Sequence, residues 1–250
     1  MKGVHHLEVT GSTNDVAHDL AARGALDGTV VIAETQEAGR GRRGRDWFSP
    51  AKGNVYLSYV HRSRLQPAEL SALTLDAATA VATALEDATG VHAELKWPND
   101  LLVGGRKIAG ILTELHTELC PNGSPVVIIG VGVNVAIAAS EFPEELRTIA
   151  TSVLVEAGEA PAPRELAELI ARRLREKLAG YEAARGPDMA AYMARFPFVG
   201  TRFRHDDTRE GTITGVGADG GLAVQWDDTE TSESIWSGEI VLLGAGSVAS

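Results

Sequence analysis

One cysteine in 250 residues leaves no partner for an intrachain disulfide, which excludes a disulfide scaffold and fits a reducing compartment. That residue, Cys120, sits between Leu119 and Pro121 and reads as a passive structural thiol rather than a reactive one. The amino terminus, Met1-Lys2-Gly3-Val4-His5-His6, lacks the apolar core of a signal peptide, and no apolar run looks long enough to cross a bilayer. The expectation is a cytoplasmic protein with no membrane partner. Positive charge is also scarce: 23 Lys and Arg face 34 Asp and Glu, a formal net charge of −11. Such a balance argues against a general binder of nucleic acid or anionic membranes, because both would repel the average surface. There are no internal repeats and no low-complexity tract.

What remains is an ordinary globular composition, 44% hydrophobic and 23% charged, with enough length for one large core and a small second unit. Ser12-Thr13-Asn14 starts a helix striped by Val16, Ala17, Leu20 and Ala21 and stopped at Gly24. Strands are predicted at Thr29–Glu34, Asn54–Val60, Val91–Trp97, Lys107–Glu118 and Pro125–Val135. Pro67 opens a long helix closed by Gly90, and Pro163 to Ala184 is an amphipathic helix. Few helical crossovers separate the strands, so the expected fold is α+β with a mixed or antiparallel sheet packed against helices. After Phe196-Pro197 the helical period disappears, and short strands around Thr212–Val216, Leu222–Trp226 and Ser234–Trp236 suggest a small β-barrel. The predicted division is residues 1–196 and 197–250.

Against this acidic background, Gly39-Arg40-Gly41-Arg42-Arg43-Gly44-Arg45-Asp46-Trp47 concentrates four guanidinium groups on a glycine-broken loop. Glycine permits close backbone approach, and arginine forks match carboxylates and phosphates. Trp47 adds a flat apolar face. Taken alone the loop is equally a solvated basic segment. Four further segments stand beside it. Lys96-Trp97-Pro98-Asn99-Asp100 ends a strand with a cation and hard oxygen donors suited to Mg²⁺ beside phosphates, or is a plain turn. Lys107-Ile108-Ala109-Gly110 follows Gly104-Gly105 and places a lysine at a strand start, exposed at the sheet's end. Gly130-Val131-Gly132-Val133-Asn134 marks a bulge or a ligand's close approach within a strand. Ser12-Thr13-Asn14 is a cap or a polar head-group site.

In this order and at these intervals, the segments, with Gln36 before the loop and a terminal Ser-Gly-Glu-Ile, resemble the biotin–protein ligase family from about Thr10 to Leu243. The resemblance implies a class II synthetase-like catalytic domain (1–196), a C-terminal SH3-like barrel (197–250), ATP and biotin as substrates, Mg²⁺, and a biotin carboxyl carrier domain as partner. It implies that Ser12, Thr13, Asn14, Gln36, Arg40, Gly41, Arg42, Lys107, Gly110 and Gly130 bind biotin. It assigns Arg42, Arg45, Trp47, Lys96, Asn99, Asp100 and Asn134 to the nucleotide, Asp100 and Asn134 to the metal, and Lys107 and Arg42 to catalysis. Many bacterial members carry an N-terminal helix-turn-helix; Ser12 lies so near Met1 that the short, ligase-only form is expected, with no nucleic-acid partner. A homodimer is compatible with the family. The competing readings are a lipoate–protein ligase on the same fold and a non-catalytic module whose arginine loop grips a nucleic-acid or acidic-protein partner. The loop is also expected to be mobile, its arginines repelling one another until an anion arrives.

Overall fold

The computed structural model describes residues 3–50, 53–119, 124–206, 208–229 and 231–243; Cys120 lies outside them. Through residue 193 the chain runs β1 (Val4–Thr10), α1 (Thr13–Ala22), β2 (Thr29–Gln36), β3 (Val55–Arg62), α2 (Leu73–Thr89), β4 (Glu94–Lys96), β5 (Asp100–Val103), β6 (Arg106–His116), β7 (Val126–Val133), α3 (Val153–Ala157), α4 (Pro163–Ala184) and α5 (Met189–Met193). Five short strands follow: β8 (Arg202–His205), β9 (Arg209–Val216), β10 (Leu222–Trp226), β11 (Ser232–Ile235) and β12 (Ile240–Leu243).

The first seven strands form one sheet in the order β1-β2-β3-β7-β6-β5-β4. Only β1 and β2 are parallel; every other neighbour is antiparallel. The sheet is therefore mixed, as expected. Its edge strand β1 has no counterpart in the sequence reading. Val4, Leu7 and Thr10 are its half-buried positions, a period of three that mimics neither an alternating strand nor a full helix stripe. The long helix also starts later than Pro67. That proline opens a separate 3₁₀ turn, Pro67–Leu70, and α2 begins at Leu73.

Alternation along β7 decides where a site can form. Its odd residues, Val127, Ile129, Val131 and Val133, join the main core beneath α2 and α4. Its even residues, Val126 and Ile128, lie under Ala17 and Ala21 of α1. Each fully buried aliphatic side chain of this kind contributes about 1.5–3 kcal/mol. The next two even positions are Gly130 and Gly132, so the α1 face of the sheet loses its side chains and becomes a floor. Helix α2 carries a further surprise. With its preceding turn, Pro67–Thr89 is long and apolar enough for a bilayer by length and composition, contrary to the sequence reading. It is alanine-rich because it is a core helix: 72% of that window is buried inside the protein, against α4 above all.

The last five strands form an antiparallel sheet in the order β11-β10-β9-β8-β12. Phe196, Phe198, Phe203, Ile213, Leu222 and Trp226 continue the main hydrophobic core into it. The Trp97 indole donates to the Gly220 carbonyl at 2.9 Å, and Ser71 Oγ donates to Asp219 O at 2.8 Å. The small sheet is thereby seated beside the strand ends that carry the Lys96–Asp100 segment.

Candidate active site

A cavity of about 1020 Å³ opens on the α1 face of the main sheet, at the edge shared with the small sheet. Every residue that the sequence singled out for a binding role lines it. Its floor is a matrix of small residues: Gly110 opposes Gly132 across β6 and β7, and Gly130 is flanked by Leu112 and Ser58. These glycines do more than admit a ligand. A Cβ on Gly132 would stand 2.5–2.7 Å from three atoms of the Trp47 indole, and one on Gly110 would stand 2.9 Å from its Cζ3. Gly130 gives its space to the Asn14 amide. Where the sequence suggested ligand approach at Gly110 and Gly130, the glycines first seat protein side chains that form the cavity's inner surface.

At one end the wall is polar and uncharged. Thr13 donates from its backbone N (2.8 Å) and its hydroxyl (3.0 Å) to Gln36 Oε1. Ser58 Oγ lies 2.8 Å from Thr13 Oγ1 and 2.5 Å from Asn14 Oδ1, while Asn14 Nδ2 donates to Glu114 Oε2 at 2.6 Å. Ser12, Thr13, Asn14 and Ser58 are all buried, so this network is fixed before any ligand arrives. Ser12 occupies the N-cap position of α1 without its side chain capping the helix; the triplet is not merely a helix start. Ser58 and Glu114 escaped the sequence reading because a polar residue on an alternating strand usually faces water. Gly132 stood inside the Gly-x-Gly-x-Asn run and could have been added from it.

The other end is cationic. Lys107 comes from β6 by way of a β-bulge: Leu101 pairs with Ala109 but Leu102 pairs with Lys107, leaving Ile108 as the extra residue. In a regular strand residues 107 and 110 face opposite sides; the bulge turns both into the cavity. Lys107 Cε accordingly lies 3.1 Å from the position of a Gly110 Cβ. Its Nζ pairs with Asp100 Oδ1 at 2.6 Å and stands 5.3 Å from the centre of the Trp47 ring. The side chain is 32% exposed, so it is less open than a strand-start lysine suggested. Burial holds Lys96 below the usual lysine range, with Asp100 and Glu239 opposing that shift and Lys107 and Arg45 adding to it. Asn99 donates to Ile111 O at 2.9 Å and accepts from Arg42 at 3.1 Å. Asn134 is buried, its amide nitrogen donating to Thr151 O at 2.9 Å.

The arginine loop closes this end, and here the expectation of unpaired, mutually repelling arginines is overturned. Arg40 bridges Asp15 (2.5 Å) and Glu114 (3.5 Å); Arg45 pairs with Glu239 (2.7 Å); Arg43 pairs with Asp206. Arg43 and Asp206 both adopt left-handed backbone conformations, with φ of 58° and 47°, which cost an ordinary side chain roughly 1–2 kcal/mol. Arg42 differs: it makes no ion pair with a described carboxylate and hydrogen-bonds only the neutral Asn99. Burial lowers its pKa from the usual arginine range; Asp100 counteracts this and the neighbouring Arg45 and Arg43 reinforce it. A desolvated guanidinium without a carboxylate partner is a poised anion receptor.

Because two of these clasps reach into the small sheet, the double substitution Asp206→Asn with Glu239→Gln should loosen the loop. Trypsin cleavage after Arg43 and Arg45 is expected to rise about two- to fivefold, the scale set by exposed ion pairs. Added salt should narrow the difference between the two proteins. An unchanged digestion rate would mean that the clasps do not hold the loop.

A mixed sheet with a glycine floor, a neutral hydrogen-bonding wall and a cationic mouth has the chemistry to suit a small molecule with an acidic end. Residues 6–134 match the biotin/lipoate A/B protein ligase family, and the chain belongs to it. It is 43% identical over 156 residues to the bifunctional ligase/repressor BirA of Bacillus subtilis, covering 62% of this chain and 47% of that protein. It is 35% identical over 226 residues to the biotin–[acetyl-CoA-carboxylase] ligase of Mycobacterium tuberculosis, covering 87% of this chain and 80% of that one. The chain thus spans about half the length of the Bacillus relatives. Among solved structures, biotin protein ligase from Aquifex aeolicus in complex with biotin and ATP is similar at a TM-score of 0.80 and 28% identity, over 97% of this chain and 99% of that one. The Leishmania major biotin protein ligase in complex with biotinyl-5-AMP is similar at a TM-score of 0.65 and 26% identity, over 94% of this chain and 99% of that one.

Proposed function

We propose that this protein joins biotin to ATP as biotinyl-5′-AMP and transfers the biotinyl group to a lysine of a biotin carboxyl carrier domain. The observation that carries the reading is Arg42 and Lys107 facing the same cavity whose opposite wall is the neutral Thr13–Asn14–Gln36 network. Biotin's ureido ring needs donors and acceptors without charge, which Ser12, Thr13, Asn14 and Gln36 supply. Its carboxylate then points toward Lys107 and Arg42. A carboxylate oxygen attacks the α-phosphorus, the bond to the bridging oxygen of pyrophosphate breaks, and pyrophosphate leaves with its electron pair. Arg42 and Lys107 offset the repulsion between the two anions and the charge gathering on the phosphoryl oxygens. In the second step the carrier lysine attacks the acyl carbon, AMP leaves, and the ammonium proton is lost to solvent.

Arg40 and Gly41 form the lid over biotin, while Arg45, Trp47, Lys96 and Asn99 serve the nucleotide side. A mixed anhydride is destroyed by water, so a loop that closes over it is required. Asp46, Glu94, Asp100 and Glu239 bring carboxylates to the cavity lining, but Glu239 is paired with Arg45 and Asp100 already stands beside Lys107; Asp100 and the oxygen of Asn134 are the donors this reading gives to Mg²⁺. That set suits a magnesium ion held chiefly by substrate phosphates. Asp100 and Asn134 would hold it, and it would neutralise phosphate charge when bound. Residues 1–196 form the catalytic unit and 197–250 an SH3-like barrel in this reading; the protein acts in the cytoplasm, without nucleic acid or membrane, and a homodimer is compatible with the open β1 edge.

The test is the mass of a biotin-carrier domain after incubation with the protein, ATP, Mg²⁺ and biotin. One biotinyl addition, absent without ATP, is expected. Addition of lipoate at an equal or greater rate would replace this reading with lipoyl transfer, and no addition at all would leave a binding module.

A further inference from the structure

We propose that His18 and His116, with Glu118 hydrogen-bonded behind His116, form a binding site for a borderline divalent transition-metal ion such as Zn²⁺, separate from the cavity and from the Mg²⁺ discussed above. One donor atom from each of the three lies within 4.8 Å of the others. The site joins two elements far apart in sequence, α1 and the end of β6.

The arrangement of the imidazoles carries the argument. His116 Nδ1 lies 2.8 Å from Glu118 Oε1. That carboxylate fixes the His116 tautomer with the proton on Nδ1 and leaves its Nε2 lone pair for a metal, the usual outer-sphere arrangement of metal-binding histidines. His116 Nε2 is buried and has no hydrogen-bond partner. An orphaned buried ring nitrogen is costly unless something outside the protein satisfies it. The two rings meet edge to face with centroids 4.8 Å apart, so the second imidazole is positioned beside the first. Simple aromatic packing explains the ring contact but neither the orphaned nitrogen nor the carboxylate on His116 Nδ1. Two imidazoles, their remaining positions open to water, suit Zn²⁺, Co²⁺ or Ni²⁺ and not Mg²⁺, which takes oxygen ligands.

The site also has a structural relation to the cavity. His18 follows Asn14 by one helical turn, and His116 follows Glu114 by two strand positions, so the histidine pair extends the Asn14–Glu114 bridge outward along the same two elements. An ion there would fasten α1 to β6 beside the neutral wall. This inference does not depend on the proposed ligase activity.

The experiment is calorimetric titration of chelator-treated full-length protein with ZnCl₂, with Co²⁺ absorption in the visible as a second readout. One Zn²⁺ per chain is expected, with Co²⁺ bands of nitrogen and oxygen ligation and no thiolate charge-transfer band. His18→Phe and His116→Phe keep a ring for the packing contact and should each weaken binding by at least about tenfold; the exposed Glu118→Gln should weaken it on the order of 10-fold as well. Circular dichroism melts confirm that each variant is folded. The proposal is overturned if the wild type takes up no Zn²⁺, if the double histidine variant binds it unchanged, or if Co²⁺ shows thiolate ligation, which would assign the ion to Cys120.

Discussion

Lys107→Ala should lower the rate of biotinyl-adenylate formation by about 100- to 1000-fold, the loss of roughly 3–4 kcal/mol that follows removal of a charged donor from a water-poor site. The geometry behind this figure is the bulge at Ile108, which brings Nζ into the cavity, and the Asp100 carboxylate 2.6 Å away that holds it there. Folding should suffer little. The lysine is partly exposed, and Asp100 retains the electrostatic company of Lys96 and Arg42, so a cost of about 1 kcal/mol is expected. Lys107→Arg should recover only part of the activity, because a planar fork cannot occupy the space of a compact ammonium between Trp47 and Asp100. Single-turnover measurement of adenylate separates this step from transfer to the carrier. An alanine variant that retained more than about half of the wild-type adenylation rate, against losses of the size given above, would move the role to Arg42.

Gly132→Ala should be damaging too, although it adds one methyl group and removes nothing. Its Cβ would fall 2.5–2.7 Å from Cε2, Cζ2 and Nε1 of Trp47, and an indole cannot bend out of the way. Overpacking of this kind costs about 1–3 kcal/mol. The strain is relieved most easily by expelling Trp47 from the cavity, since the floor belongs to the central sheet and the tryptophan to the end of a loop. Expulsion would carry the arginine loop with it, so adenylation is expected to fall by about tenfold or more. The emission of Trp47, isolated by difference against the same variant in a Trp47→Phe background, should shift to longer wavelength. Identical emission and an unchanged rate would show that the contact between indole and floor is dispensable.

The parts of this molecule that were legible in the sequence are those whose cause is local. The arginine loop, the Lys96–Asp100 turn, the lysine before Gly110 and the glycine pair in β7 each advertise themselves within a few residues, and the cavity assembles all of them. The missing parts have causes spread over the chain. Arg43 finds Asp206 across 163 positions and Arg45 finds Glu239 across 194, so the loop looked unpaired when read alone. The bulge at Ile108 leaves no mark, because Ile108, Ala109, Gly110 and Ile111 are apolar or small on both faces. Strand β4 is only three residues, Glu94–Lys96, and the apolar residues before it, Val91 and Ala93, are buried without joining the ladder. Burial set the hydrophobic pattern there, and the expected Val91–Trp97 strand followed that pattern too far.

The left-handed pair Arg43 and Asp206 has a consequence for anyone who would recombine this chain with a relative. The arginine loop and the carboxylates that clasp it lie far apart in the sequence, so they are inherited as one unit only when the chain is inherited whole. A chimera that took its last fifty or so residues from another family member would keep Lys107, its glycine floor and its neutral wall. Unless the donor segment also presented carboxylates at the positions of Asp206 and Glu239, however, it would have a door without a latch. Its adenylate would form, escape into water and hydrolyse before a carrier lysine could claim it.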